Sequence, residues 1–220
     1  MRPLPLSLLT TAALCAAGCS SSGGLGVVAP QPQRSVADVR ADTLVQVAQR
    51  IYQQEVTGVV GRANVRRIAR DTRLTSALAG DRPAALRAEA LRQLFLRGKH
   101  VVRLEVLQGG RVRTDVGGRF VVGGESGALR AADGRRIGRL ELSMQDVLGY
   151  RKLVNRLTGA QVVIRGDAGH VETSLPAAAA ASLPSHGTVS LDGTSYVVRE
   201  FHETGFAGEP LSVWLLVAAA

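Results

Sequence analysis

The sequence predicts an α+β fold: helices first, then an antiparallel sheet with one helix inserted among its strands. Three observations carry that prediction. Over residues 38–80 apolar side chains recur at three- and four-residue spacing. From Val101 onward they alternate, and at Gln145-Asp146 the period returns to a helical one for a single element. With 220 residues and 45% hydrophobic content, the chain is long enough to bury one ordinary core.

The leading helix rests on Leu44, Ala48, Ile51, Tyr52, Val56, Val59 and Ala63, continued by Ile68, Leu74 and Leu78 to a stop at Ala79-Gly80. Gly58 and Gly61 interrupt it at about 1 kcal/mol each relative to alanine, which predicts a kink or a close backbone approach there. Asp81 and Pro83 open a second helix, with Leu86, Ala90, Leu91, Leu94 and Phe95 inward and Gly98 closing it. Val102, Leu104 and Val106 then alternate with Arg103, Glu105 and Leu107. Gly109-Gly110 makes a tight turn, and Val112, Thr114 and Val116 continue the same face on the return. Phe120–Val122 is a short run, Gly123–Gly127 reads as a glycine-rich loop, and Asp133-Gly134 turns into the strand from Ile137. Asp146 is the predicted N-cap of the inserted helix, which ends at Thr158-Gly159. Hairpins follow at 161–174 and 188–201, separated by an alanine-rich loop, 176–184, and Leu211, Val213, Leu215 and Val217 form a last strand.

Residues 1–18 stand apart from the fold. Arg2, an apolar run from Leu4 to Leu14, and Ala16-Ala17-Gly18-Cys19 resemble a bacterial lipoprotein signal peptide, with Cys19 the lipidated first residue after cleavage and Ala16 where leucine is usual. Ordinary secretory cleavage near Ala17 and an uncleaved anchor are the alternatives. Residues 19–37, with SSSGG, Pro30 and Pro32, have the composition of a flexible tether. Residues 38–217 are the expected folded domain. Both cysteines, Cys15 and Cys19, lie in the first nineteen residues, which excludes a disulfide framework, a cysteine metal cage or a thiol nucleophile in the body.

The net charge of +9 is carried almost wholly by arginine, Lys99 and Lys152 being the only lysines. The arginines are scattered rather than blocked, the pattern of a solvated surface, and export disfavours nucleic acid as a partner. His100, His170, His186 and His202 do not have the spacing of a metal site, so neither metal nor cofactor is expected. Gly124-Glu125-Ser126-Gly127 lacks the final glycine of a nucleophile elbow. Glu200 and Glu203 read as solvated charges. Arg103, Glu105, Arg113, Asp115, Arg139, Glu141 and Arg199 lie opposite the apolar alternation, where cross-strand ion pairs are the ordinary explanation. The functional alternative is a pocket lined by Arg103, Arg139 and Arg199, whose planar forks suit a carboxylate, and walled by Tyr150 and Tyr196.

Three stretches bear a family resemblance: residues 70–81 at the join of the leading helices, 101–116 as a first strand pair, and 137–158 as an inner strand with its helix. Together with the element order over 38–217, they resemble a Cache domain, the PAS-like extracytoplasmic sensor module of bacteria. The resemblance implies a ligand-binding sensor rather than an enzyme. It would bind a small molecule, an organic carboxylate being favoured by the arginine excess, and signal through a separate membrane-bound partner from a lipid-anchored, extracytoplasmic position. An envelope lipoprotein serving as a protein scaffold, and a hydrolase with an unrecognised site, are the competing functions. The anchor is tested directly: Cys19→Ala should abolish signal processing and move the protein from the membrane fraction to the soluble one, and unchanged processing and partition would overturn the lipoprotein reading.

Overall fold

The computed structural model describes residues 34–96, 100–167 and 169–219, so Cys19, the expected lipidation site, and the expected signal peptide lie outside the described residues. The body is α+β with a long first helix, as expected, and its strands divide between two antiparallel sheets. The leading helical stretch is three helices. α1 (Val36–Val56) starts at Ser35, whose hydroxyl accepts from the Asp38 amide at 3.0 Å. It ends at Thr57-Gly58, where a Cβ on Gly58 would lie 2.3 Å from the Gln54 carbonyl oxygen. α2 (Val59–Ala69) follows, and its Gly61 meets the Glu125 side chain, so one of the two glycines marks a break and the other a close approach. α3 (Thr72–Ala79) is capped by Asp71, which accepts from the Arg73 and Leu74 amides at 3.0 and 3.2 Å. α4 (Pro83–Leu94) takes Pro83 in its first turn. The Asp71 carboxylate also receives Arg92 and Gln93 of α4, which ties the two helices together.

The first sheet holds β1 (Arg103–Gln108), β2 (Arg111–Gly117), β3 (Glu125–Arg130) and β4 (Arg136–Ser143) in the order β2-β1-β4-β3. Helices α2, α3 and α4 cover one of its faces, closing a core around Ile68, Leu74, Leu78, Leu86, Leu104, Leu129, Leu140 and Leu142. α5 (Val147–Thr158), capped by Asp146 on the Gly149 amide at 2.6 Å, leads to the second sheet. That sheet contains β5 (Gln161–Gly166), β6 (Val171–Thr173), β7 (His186–Leu191), β8 (Thr194–Thr204) and β9 (Pro210–Ala218), ordered β6-β5-β9-β8-β7. α1 and α5 cover one face, meeting Val162, Ile164, Val197, Phe201, Val213 and Leu215. On the other face Val163, Val198, Trp214 and Leu216 lie beneath the segment that carries the short helix α6 (Ala177–Ala180). β9 is central and buried on both faces, hence its nearly continuous apolar run.

Three local expectations need correction. Phe95 is 81% exposed, because α4 ends at Leu94 before the side chain can turn inward. Residues 125–127 are strand rather than loop: Gly124 and Gly127 are small because a Cβ would lie 2.2 Å from the Leu142 carbonyl oxygen and 2.4 Å from Val65. Val112 is exposed, because an irregularity in the β1–β2 register leaves Leu107 opposite Val112 while Val106 faces Thr114.

α1 supplies Ala41, Ala48, Ile51, Tyr52 and Val56 to the larger core. Full burial of a large apolar side chain is worth about 1.5–3 kcal/mol, against a net stability of roughly 5–15 kcal/mol. A chain starting at Asn64 should therefore aggregate or melt without cooperativity. A soluble product with a sharp thermal transition would refute that role for α1.

Candidate functional site

The outer face of the first sheet is polar because its register stacks charged residues. Glu105 stands opposite Asp115 on one side and Glu141 on the other, while Arg139 faces Leu107. Glu105 is only 7% exposed, and burial together with Asp115 and Glu141 raises its carboxyl above the ordinary range, against the pull of Arg103 and Arg139. Arg103 is held on three sides. Its Nε and Nη2 donate to the two Asp115 oxygens at 3.0 and 2.7 Å, and Nη1 donates to the Arg119 carbonyl at 3.2 Å. Its flat face lies 4.6 Å from the centre of the Phe206 ring. The Asp115 hydrogen bonds, outweighing desolvation, keep the guanidinium firmly charged.

Where α4 passes the end of β2, a crevice of about 270 Å³ opens, lined by Arg87, Leu91, Arg103, Asp115, Arg119 and the Val116–Gly118 backbone. Arg87 donates to the Asp115 carbonyl at 3.2 Å. Gly117 is required here: its φ is +115°, and a Cβ would lie 2.2 Å from the Val102 carbonyl oxygen. Three guanidinium groups thus surround one carboxylate in the side-chain lining, and the crevice carries a positive excess fit for a small anion. Arg87 and Arg119 were invisible as site residues in the sequence, since one lies on a helix and the other in a turn, outside the strand alternation.

The five predicted binding residues do not converge. Arg103 lines the crevice. Arg139, also on the first sheet, pairs with Glu141 at 2.9 Å. Arg199 braces α1 through Asp38 and Asp42, each at 2.7 Å. Tyr150 is fully buried and donates to the Ala48 carbonyl at 3.0 Å. Tyr196 packs under the α6 segment, on the face of the second sheet opposite the one that α5 covers. Ser126 sits within β3, opposite Glu141, and so is not at a strand-to-helix elbow. Among the described residues no group of three or more His, Cys, Asp or Glu is placed to hold a metal ion. No helix among them is long and apolar enough to cross a membrane.

No family model matches the sequence, and no curated protein matches it. Among solved structures, the periplasmic domain of Vibrio cholerae LuxQ is similar to this chain. The TM-score is 0.55 at 12% identity, with 81% of this chain and 100% of that one covered. A second structure of the same domain, with selenomethionine, gives 0.53 at 12% identity over 81% and 98%. The chain therefore shares the fold of that periplasmic domain.

One titratable group expected to be solvated is not. Glu203, on the α1-facing side of β8, is partly buried among apolar side chains, and desolvation pushes its carboxyl up to about 7. Its charge bears on Tyr52 and Tyr150, whose rings meet edge to face with centroids 5.8 Å apart; burial first, then Glu203, raises both phenols, Tyr52 to about 12. The folded state therefore prefers protonated Glu203. Its contribution to stability is full below the ordinary value of 4.5 and lost as pH rises through about 7. Glu203→Gln should match the wild-type Tm near pH 4 and exceed it by several degrees near pH 8, since the rise corresponds to about 3 kcal/mol, which solvent screening of a half-buried group brings to roughly 2. Parallel melting curves across that range would remove Glu203 from the account.

Proposed function

We propose that this chain is an extracytoplasmic sensor-type module. In this reading it binds a small organic anion, a carboxylate most simply, in the Arg87–Arg103–Arg119 crevice and reports through a separate membrane-bound partner. The observation behind the reading is the crevice itself, whose side-chain lining holds three guanidinium groups and one carboxylate, Asp115, which only Arg103 engages. An arginine fork grips a carboxylate in two places, so Arg87, Arg103 and Arg119 would take the ligand, with Asp115 holding Arg103 in its absence. Arg139, Tyr150, Tyr196 and Arg199 serve in this reading as structural residues away from the site. Lipidation of Cys19 and the stretch from there to the start of α1 would hold the module at the membrane surface. No catalytic step is assigned.

A scaffold function without a small ligand is favoured by one observation. The face of the second sheet opposite α1 is filled by the chain's own Trp214, Leu175, Leu183, Val189 and Tyr196. A thermal screen of organic acids, amino acids and amines separates the two readings. Ligand at a hundred times its dissociation constant stabilises by about 2.7 kcal/mol, and each kcal/mol moves the Tm of a domain this size by roughly 2–4 °C. Carboxylate hits lost in Arg119→Gln are expected. Hits confined to amines would reject the anion site, and a silent screen would leave the scaffold.

A further inference from the structure

The turn between β8 and β9 belongs to the second sheet yet lies on the first. Phe206 is 2% exposed and buries its ring under the Arg103 guanidinium, at 4.6 Å. The next residue, Ala207, donates its amide to Glu141 Oε1 at 3.1 Å. The backbone adopts left-handed conformations at Ala207 and Gly208, with φ of 57° and 88°, which aim the turn inward. Its stem is fastened on both sides. Gly205 bridges to Val122, and the Thr204 carbonyl accepts the Tyr52 hydroxyl of α1. One continuous set of contacts therefore runs from the Asp115–Arg103 fork through Phe206 and Thr204 to the C-terminal half of α1.

We propose that this turn is the relay by which the state of the Arg103 crevice reaches the second sheet and α1. The proposal rests on the anion-site reading for its trigger and on the contacts above for its path. Arg103 uses its in-plane donors at the crevice and its flat face at Phe206. An anion that draws the guanidinium away from Asp115 must also tilt or shift that face. The ring has no other place to go, because close-packed surroundings have discrete arrangements rather than continuous ones. The ligand shifts the equilibrium by as much as it prefers one arrangement of Arg103 over the other.

Amide hydrogen exchange on the full chain tests the relay with and without a ligand. Arg103→Gln should speed exchange over residues 203–211 and 49–56 by about fivefold, which is what a cation–π contact of about 1 kcal/mol is worth. Phe206→Leu should do the same, and the double variant should do no more than either. Arg103→Lys keeps the charge but loses the flat face, so it should behave like Arg103→Gln. Arg113→Gln on the same sheet, which removes the pair with Asp81 of the α3–α4 turn, should leave both segments unchanged. Additive effects, or an effect of Arg103→Gln confined to β1 and β2, would overturn the relay. Malonate serves as the anion probe. If malonate raises the Tm and exchange at 203–211 stays fixed, the relay fails while the site stands. If malonate has no effect and Arg103→Gln still loosens α1, the anion site fails while the relay stands.

Discussion

The position of α1 across the second sheet is the constraint on which the rest of the body depends. Val197, Phe201, Val213, Leu215 and Val217 form an apolar face that must be covered, and α1 covers it together with α5. Burial alone is non-directional, so two polar clamps set the register. Near the helix start Asp38 and Asp42 accept from Arg199, and near its end the Tyr52 hydroxyl donates to the Thr204 carbonyl. From Asp38 or Asp42 to Tyr52 the helix rises about 15–21 Å, and from Arg199 to Thr204 a strand rises about 17 Å. The two spans match, so helix and strand lie side by side with both clamps closed.

That arrangement also decides where the chain can go next. With α1 spent on the second sheet, α2–α4 must cover the first, and the break at Thr57-Gly58 is where the allegiance changes. Gly58 is small because a side chain there would strike the last turn of α1, so the break follows from backbone sterics. Periodicity in the sequence runs straight through this point, because both helices keep an apolar stripe and only the body it faces changes. For the same reason the sequence showed the strands, their turns and the Asp146 cap but not the division into two sheets. Pairing of β5 with β9 rather than with a strand of the first sheet is a non-local choice that alternation does not encode.

The site was less legible than the fold, and the reason is physical. Alternation tells which side of a strand a residue occupies, and it correctly put Arg103, Glu105, Arg139 and Glu141 on one polar face. It does not tell whether two faces are the same face. Tyr150 and Tyr196 look like neighbours in a pocket until the second sheet is seen to stand between them. Glu203 looked solvated because its strand is rich in polar residues. Its burial comes from α1, which is far away in sequence.

The preference for arginine over lysine acquires a structural meaning in this light. Aromatics make up only 4% of the chain. Two of them are covered by guanidinium groups at 4.6 Å, Phe206 by Arg103 and Trp214 by Arg165. Each of these arginines does a second task with its edge: Arg103 binds Asp115, and Arg165 donates to the Ala180 carbonyl and so holds the α6 segment over the sheet. A lysine has a point charge and no face, and would do one of the two. The same economy leaves Arg103 able to join a charged crevice to a buried ring. A residue of that shape, where the turn of one sheet meets the other, ties the two halves of the body together.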